Sequence, residues 1–370
     1  MPGRGGMPPH SHAGTRLSTD RGHAQMEEEL RAAVRGFVTS VNSNGVHAVD
    51  MSVLVQATAT LPLSKMANWE RLVRGEASLA HRARAESSER GWRALLPFTE
   101  PRKMAEAGRF LTWIDLVSFD GHVRERTLRT LAGPAPNSFF FALAARRLND
   151  WVPEVRAAAR AVIPLLARAS EPAHVVDALC AMLPTWTSWG RVQGQDKQVV
   201  SELICTERVA QALKCRVISS SAGPMAAVLS QSLRTAILDE HLSEIATKAI
   251  QPAVRAKAHG ALLAGKAVWV QGRHWKWTDV RYCQGRLQNV LGERPLNARP
   301  ALLDSLHSAA ADPSSIVRRM AAKVLVEEMS HLGNAALPLA RQFAGDRSRT
   351  IAERGVFALQ RLEASGKLAR

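Results

Sequence analysis

One tyrosine, Tyr282, four cysteines and no apolar run near the length of a membrane-spanning helix mark what this 370-residue chain has little of. A bilayer crossing needs about 20 consecutive apolar residues, so no membrane span is expected. Cys180, Cys205, Cys215 and Cys283 form no Cys-x-x-Cys pair and stand at no metal-ligand spacing from histidine, which argues against a zinc site. Sparse cysteine and the lack of a secretory apolar region make a reducing cytoplasm the expected compartment. The chain also lacks a phosphate-cradling glycine loop, a nucleophile elbow, paired zinc ligands on a helix and kinase signatures. Its histidines are scattered, as satisfied surface or core residues usually are. No catalytic residue, cofactor or small-molecule substrate is therefore expected, and the chain does not read as an enzyme.

What is present is Ala, Leu and Val in a 46% hydrophobic composition, helix-former usage that predicts an all-α fold. The formal net charge is +16. Lys and Arg in such excess make polyanions plausible partners, a membrane surface among them, although arginine-rich helices also carry charge simply as a solvated face.

Residues 1–25 are Gly, Pro, His, Ser and Arg with almost no large apolar side chain, and they predict a disordered tail. An N-terminal helical region is expected over 26–114. It opens with Glu27, Glu28 and Glu29 at the positive end of a helix dipole, and Leu30, Val34, Phe37, Val38 and Val41 follow at helical spacing. A second helix runs through Trp69, Leu72 and Val73, and Arg71, Arg74, Arg82, Arg84, Arg90 and Arg93 make this stretch basic.

From 115 a unit recurs. Asp120 leads through Val123 and Arg124 to Leu128; Asp150 through Val155 and Arg156 to Ala159 and Ile163; Asp312 through Val317 and Arg318 to Ala321 and Leu325; Asp346 through Ile351 to Gly355 and Leu359. In the last three the aspartate stands five residues before the aliphatic one. The aspartate suits a helix cap, a following proline suits the first turn, and Val or Ile begins the buried stripe. The arginine, also present as Arg255, can reach an aspartate in the next turn. Copies lie 32 residues apart between Val123 and Val155 and 34 between Val317 and Ile351, and two such units would fit between Val254 and Val317.

This Asp-x-x-x-x-Val-Arg-x-x-Ala pattern resembles that of HEAT-like repeats, specifically over 115–166 and 299–362. The resemblance implies an α-solenoid of helical hairpins over 115–362, with loop insertions near 184–198 and 268–286 and a C-terminal tail over 363–370. It implies a scaffold that binds another protein, within a multi-protein assembly. Some HEAT-like solenoids are alkylpurine DNA glycosylases; Trp113 with Asp115, or Trp275 and Trp277 with Asp279, would be the residues to consider, but no wider glycosylase motif carries a role onto them.

The richest segment holds Arg273, His274, Trp275, Lys276, Trp277, Arg281, Tyr282 and Arg286, with Trp186, Trp189 and Arg191 as a smaller echo. Aromatic rings interleaved with cations stack bases and grip phosphates. Large aromatics also plug gaps between helices, and protein interfaces favour Trp and Arg as well. The expected partner is a protein, with DNA or RNA as the alternative.

Overall fold

A computed structural model describes residues 13–43, 50–93, 111–298 and 300–364, and it is mostly helical. The chain divides into two compact units, Met1–Ser170 and Glu171–Arg370. Among the described residues no helix is long and apolar enough to cross a membrane.

The first unit contains α1 (Ala13–Ser43), α2 (Ser52–Ala59), α3 (Met66–Arg93), α4 (Gly121–Thr130), α5 (Ser138–Ala145) and α6 (Pro153–Ala169). Helix α1 starts well before Met26, so the expectation of disorder fails over 13–25; residues 1–12 and 365–370 lie outside the described ones. Polar contacts offset the missing apolar side chains: the His23 ring stacks on Trp69 at 5.1 Å, His23 Nδ1 meets Glu27 at 3.2 Å, and Gln25 donates to Glu29 at 2.9 Å. Helix α5 is buried from Phe139 to Ala145, and the Phe140 ring lies 5.8 Å from that of Trp113. Arg74 of the basic stretch is structural, donating to the Val117 carbonyl at 2.7 Å and to Glu70 at 2.8 Å.

Glu70 is the hub of a buried charge network. Arg146 donates to it at 2.9 Å, and Arg147 joins it to Asp150, which also receives Arg124. Burial alone would raise the Glu70 carboxyl pKa. The attraction and hydrogen bonds of Arg147 and Arg146 outweigh that and hold it at about 2.

The second unit comprises α7 (Pro172–Met182), α8 (Gly194–Ile204), α9 (Glu207–Ser219), α10 (Met225–Ser232), α11 (Leu242–Lys248), α12 (Pro252–Ala264), strands β1 (Lys266–Asp279) and β2 (Gln284–Pro295), α13 (Leu302–Ala310), α14 (Ser315–Leu332), α15 (Ala336–Ala344) and α16 (Arg349–Ala364). Helices pair as α11 with α12, α13 with α14 and α15 with α16, while α12, α14 and α16 lie side by side. Leu306, Val317, Leu325, Leu339, Phe343 and Ile351 fill the space between them, each buried side chain contributing roughly 1.5–3 kcal/mol. Gly355 permits the closest approach: a Cβ there would stand 2.2 Å from the Ala344 nitrogen.

The recurring Asp and Arg have a consistent geometry. Arg124, Arg156, Arg255 and Arg318 each turn back to the carbonyls six and five residues earlier, Arg255 reaching Ala249 at 2.9 Å and Ile250 at 3.1 Å. Three of them also grip the aspartate of the following turn: Arg124 with Asp150, Arg255 with Asp312 and Arg318 with Asp346. The aspartates cap less directly than expected. Asp120 immediately precedes its helix, but Asp150, Asp312 and Asp346 accept from the N–H two residues on, Val152, Ser314 and Ser348, which are themselves the residues before the helix. Their carboxylates are committed mainly to the arginine.

These contacts correct the spacing between Val254 and Val317. Arg255 reaches Asp312 directly, so the two turns are consecutive rather than separated by another unit. The 63 residues from Arg255 to Arg318 include a hairpin spanning 266–295; without its 30 residues, 33 remain, the same interval as elsewhere.

Candidate functional site

The segment expected as a loop insertion near 268–286 is an antiparallel β-ribbon, the one sheet among the described residues. Its turn is Val280, Arg281, Tyr282 and Cys283. Asp279 Oδ1 accepts from the Arg281 and Tyr282 amides, the Cys283 amide donates to the Val280 carbonyl at 3.3 Å, and Cys283 takes a left-handed conformation at φ 52°. Gln271 and Thr278 are extra residues at two register shifts.

The root of the ribbon is anchored to the helices of its own unit. Two carbonyls at the root of β1, an unpaired edge, receive side-chain donors: Val268 from Ser230 at 3.0 Å and Lys257 at 2.6 Å, Val270 from Gln231 at 2.9 Å and Arg234 at 3.0 Å. Across the ribbon Arg294 donates to the Leu233 and Thr235 carbonyls and to the buried Asp239 carboxylate at 2.6 Å. Arg234 lies between two indoles, 4.8 Å from the Trp186 ring and 5.4 Å from that of Trp269. Burial lowers its pKa to about 10, and among the described residues no carboxylate pairs with it. Trp269 covers Gly292, where a Cβ would meet its indole nitrogen at 2.5 Å.

The distal half has no such support. Strand pairing places Trp275 opposite Leu287, Trp277 opposite Gly285, Arg273 opposite Asn289 and Val270 opposite Leu291 on one face. Lys276 with Arg286 and His274 with Gln288 fall on the other. Trp275 and Trp277 meet edge to face at 5.7 Å, with Trp275 lying over Gly285. They remain 48% and 52% exposed, Leu287 and Leu291 are exposed as well, and Tyr282 at the turn is 75% exposed. Arg273, Lys276, Arg281 and Arg286 are exposed, with no acidic partner among the described residues.

The structure thus brings together the eight candidate residues from Arg273 to Arg286 and separates the smaller set from them. Trp186 is 2% exposed, with its indole N–H donated to Gln231 at 2.9 Å, so it packs rather than presents. Trp189 is half-buried and Arg191 exposed in the turn before α8. Sequence reasoning missed Arg234, Lys257 and Gln231, which hold the ribbon; each lies in an ordinary helical pattern, and only the strand carbonyls they face give them a role. Of the carboxylates considered for a glycosylase, Asp115 is buried with Oδ2 accepting from Thr112, and Asp279 Oδ1 accepts from the turn amides. Among the described residues no three His, Cys, Asp or Glu side chains gather as metal ligands would. No family model, curated protein or solved structure matches the chain.

Proposed function

We propose that the chain is a non-enzymatic binding scaffold, an α-solenoid of HEAT-like helix pairs in the cytoplasm that holds a macromolecular partner through the distal half of its β-hairpin. The carrying observation is a contrast of anchoring: the root of the ribbon is tied down by Lys257, Arg234 and Arg294, while Trp275 and Trp277 stand about half exposed and Tyr282 more so. Exposed indoles contribute little to folding, and Trp, Tyr and Arg are the residues that dominate interface energetics. A rigid root also reduces the ordering cost of binding. The repeat pattern, with its recurring Arg-to-Asp contacts, supports the solenoid reading, and a subunit role in an assembly is part of the same proposal.

The test replaces residues 271–290 by Asn-Gly, joining the paired Val270 and Leu291 through a two-residue turn. Helicity should be unchanged and the melting temperature should stay within about 3 °C, because the anchoring contacts are kept. Partners captured from a native extract by the full chain should be lost. Capture of the same partners by the trimmed chain would overturn the proposal.

A further inference from the structure

Building on that reading, we infer that the distal ribbon is a site for single-stranded nucleic acid, with unpaired bases stacked on Trp275 and Trp277 and phosphates held by Arg273, Lys276, Arg281 and Arg286. Three features carry this. The two indoles lie on the flat of the ribbon, each about half exposed, which leaves π surface open to a flat ring. Four cations surround them on both faces and at the turn without an acidic partner among the described residues, whereas Lys266 and Arg294 at the root are paired with Glu293 and Asp239. The one distal carboxylate, Asp279, is turned to the amides of Arg281 and Tyr282.

Other occupants fit less well. A second copy laid on the same face would bring like charges together. Insertion of the tip into a bilayer would desolvate Arg281 in the turn and Asp279 at the end of β1, while the indoles lie back from the tip. Duplex DNA offers phosphates but keeps its bases stacked on one another, so the open indoles would have no ring to receive. An unpaired strand satisfies both sets of side chains at once, since every base has a π face and every nucleotide a charge.

The experiment measures fluorescence anisotropy of a labelled oligo-dT strand of about 12 nucleotides, within the usual site size for such surfaces. A duplex of equal length and phosphatidylcholine vesicles containing phosphatidylserine serve as competitors. The strand should bind with log K falling against log salt at a slope of about −3, four phosphate contacts at about 0.7 each. Trp275→Ala with Trp277→Ala should weaken binding at least about tenfold with the slope retained, and Trp275→Phe, which keeps a stacking ring, should restore much of it. Arg273→Ala with Arg286→Ala should lower the slope by about half. Equal or tighter binding to the duplex or the vesicles, indifference to the tryptophan changes, or a flat salt dependence would overturn the inference. Because the altered side chains are exposed, circular dichroism should show folded variants. If oligo-dT is not bound while the trimmed chain still loses its captured partners after nuclease treatment, the inference falls and the scaffold reading stands. If neither binding nor capture depends on the hairpin, both fall.

Discussion

The arginines of the repeat turns and the cations of the hairpin tip are the same chemistry in opposite circumstances. Arg255 satisfies two backbone carbonyls and one buried carboxylate, and Arg124 and Arg318 do the same in their own turns. Arg273, Lys276, Arg281 and Arg286 meet no carboxylate among the described residues and stand in solvent. A guanidinium whose neighbours complete its hydrogen bonds fixes the spacing of helices. One left open keeps its attraction for whatever arrives from outside. Net charge therefore says little by itself, because only the unpartnered share of it is available to a ligand.

The comparison breaks most visibly if the two kinds of arginine are removed in turn. Arg255→Ala strands the buried Asp312 carboxylate and should cost about 3–5 kcal/mol, read from urea unfolding followed by circular dichroism. Arg273→Ala should stay within about 0.5 kcal/mol in the same measurement. Equal costs would mean that the tip cations are structural after all.

The buried network sharpens it with pH. Because Glu70 titrates at about 2 when folded, against 4.5 when free, its ionised form contributes about 3 kcal/mol that is fully present above pH 4.5 and disappears as pH falls toward 2. Glu70→Gln should therefore cost about that much at neutral pH, with the gap to the native chain closing through that window. A gap independent of pH would show that packing, not charge, is what Glu70 supplies.

The smallest effects compare two glycines in one ribbon. Gly292→Ala pushes against Trp269, which is backed by Arg234, and should cost about 1–3 kcal/mol. Gly285→Ala pushes against Trp275, which is free to swing into solvent, and should cost less than about 0.5 kcal/mol while altering tryptophan fluorescence. A reversed order would place the support of the ribbon at its tip.

Helix-former composition, apolar residues at helical spacing and the recurring Asp and Val-Arg make the helical character and the turn residues legible in the sequence. Such signals are local, since a capping carboxylate and a buried stripe act within one or two turns of chain. The ribbon was hidden although its residues alternate, as in Val268 and Val270 and again in Trp275 and Trp277, because the extra residues Gln271 and Thr278 interrupt the period. Its glycines read as loop residues, yet Gly285 and Gly292 are floors for indoles. The interval of 63 residues between Arg255 and Arg318, nearly twice its neighbours, fits two repeat units as well as one unit with an inserted element, and only the contact of Arg255 with Asp312 decides between them.

The sequence by itself thus determined the helical elements, their turn chemistry and the gathering of Trp and Arg within one short segment. Tertiary structure decided which of those side chains are spent on the fold. Trp186 and Trp269 are drawn against Arg234, which follows α10, while Trp275 and Trp277 meet each other and stay about half exposed. Exposure depends on what lies across from a residue in space, and residues distant along the chain supply that.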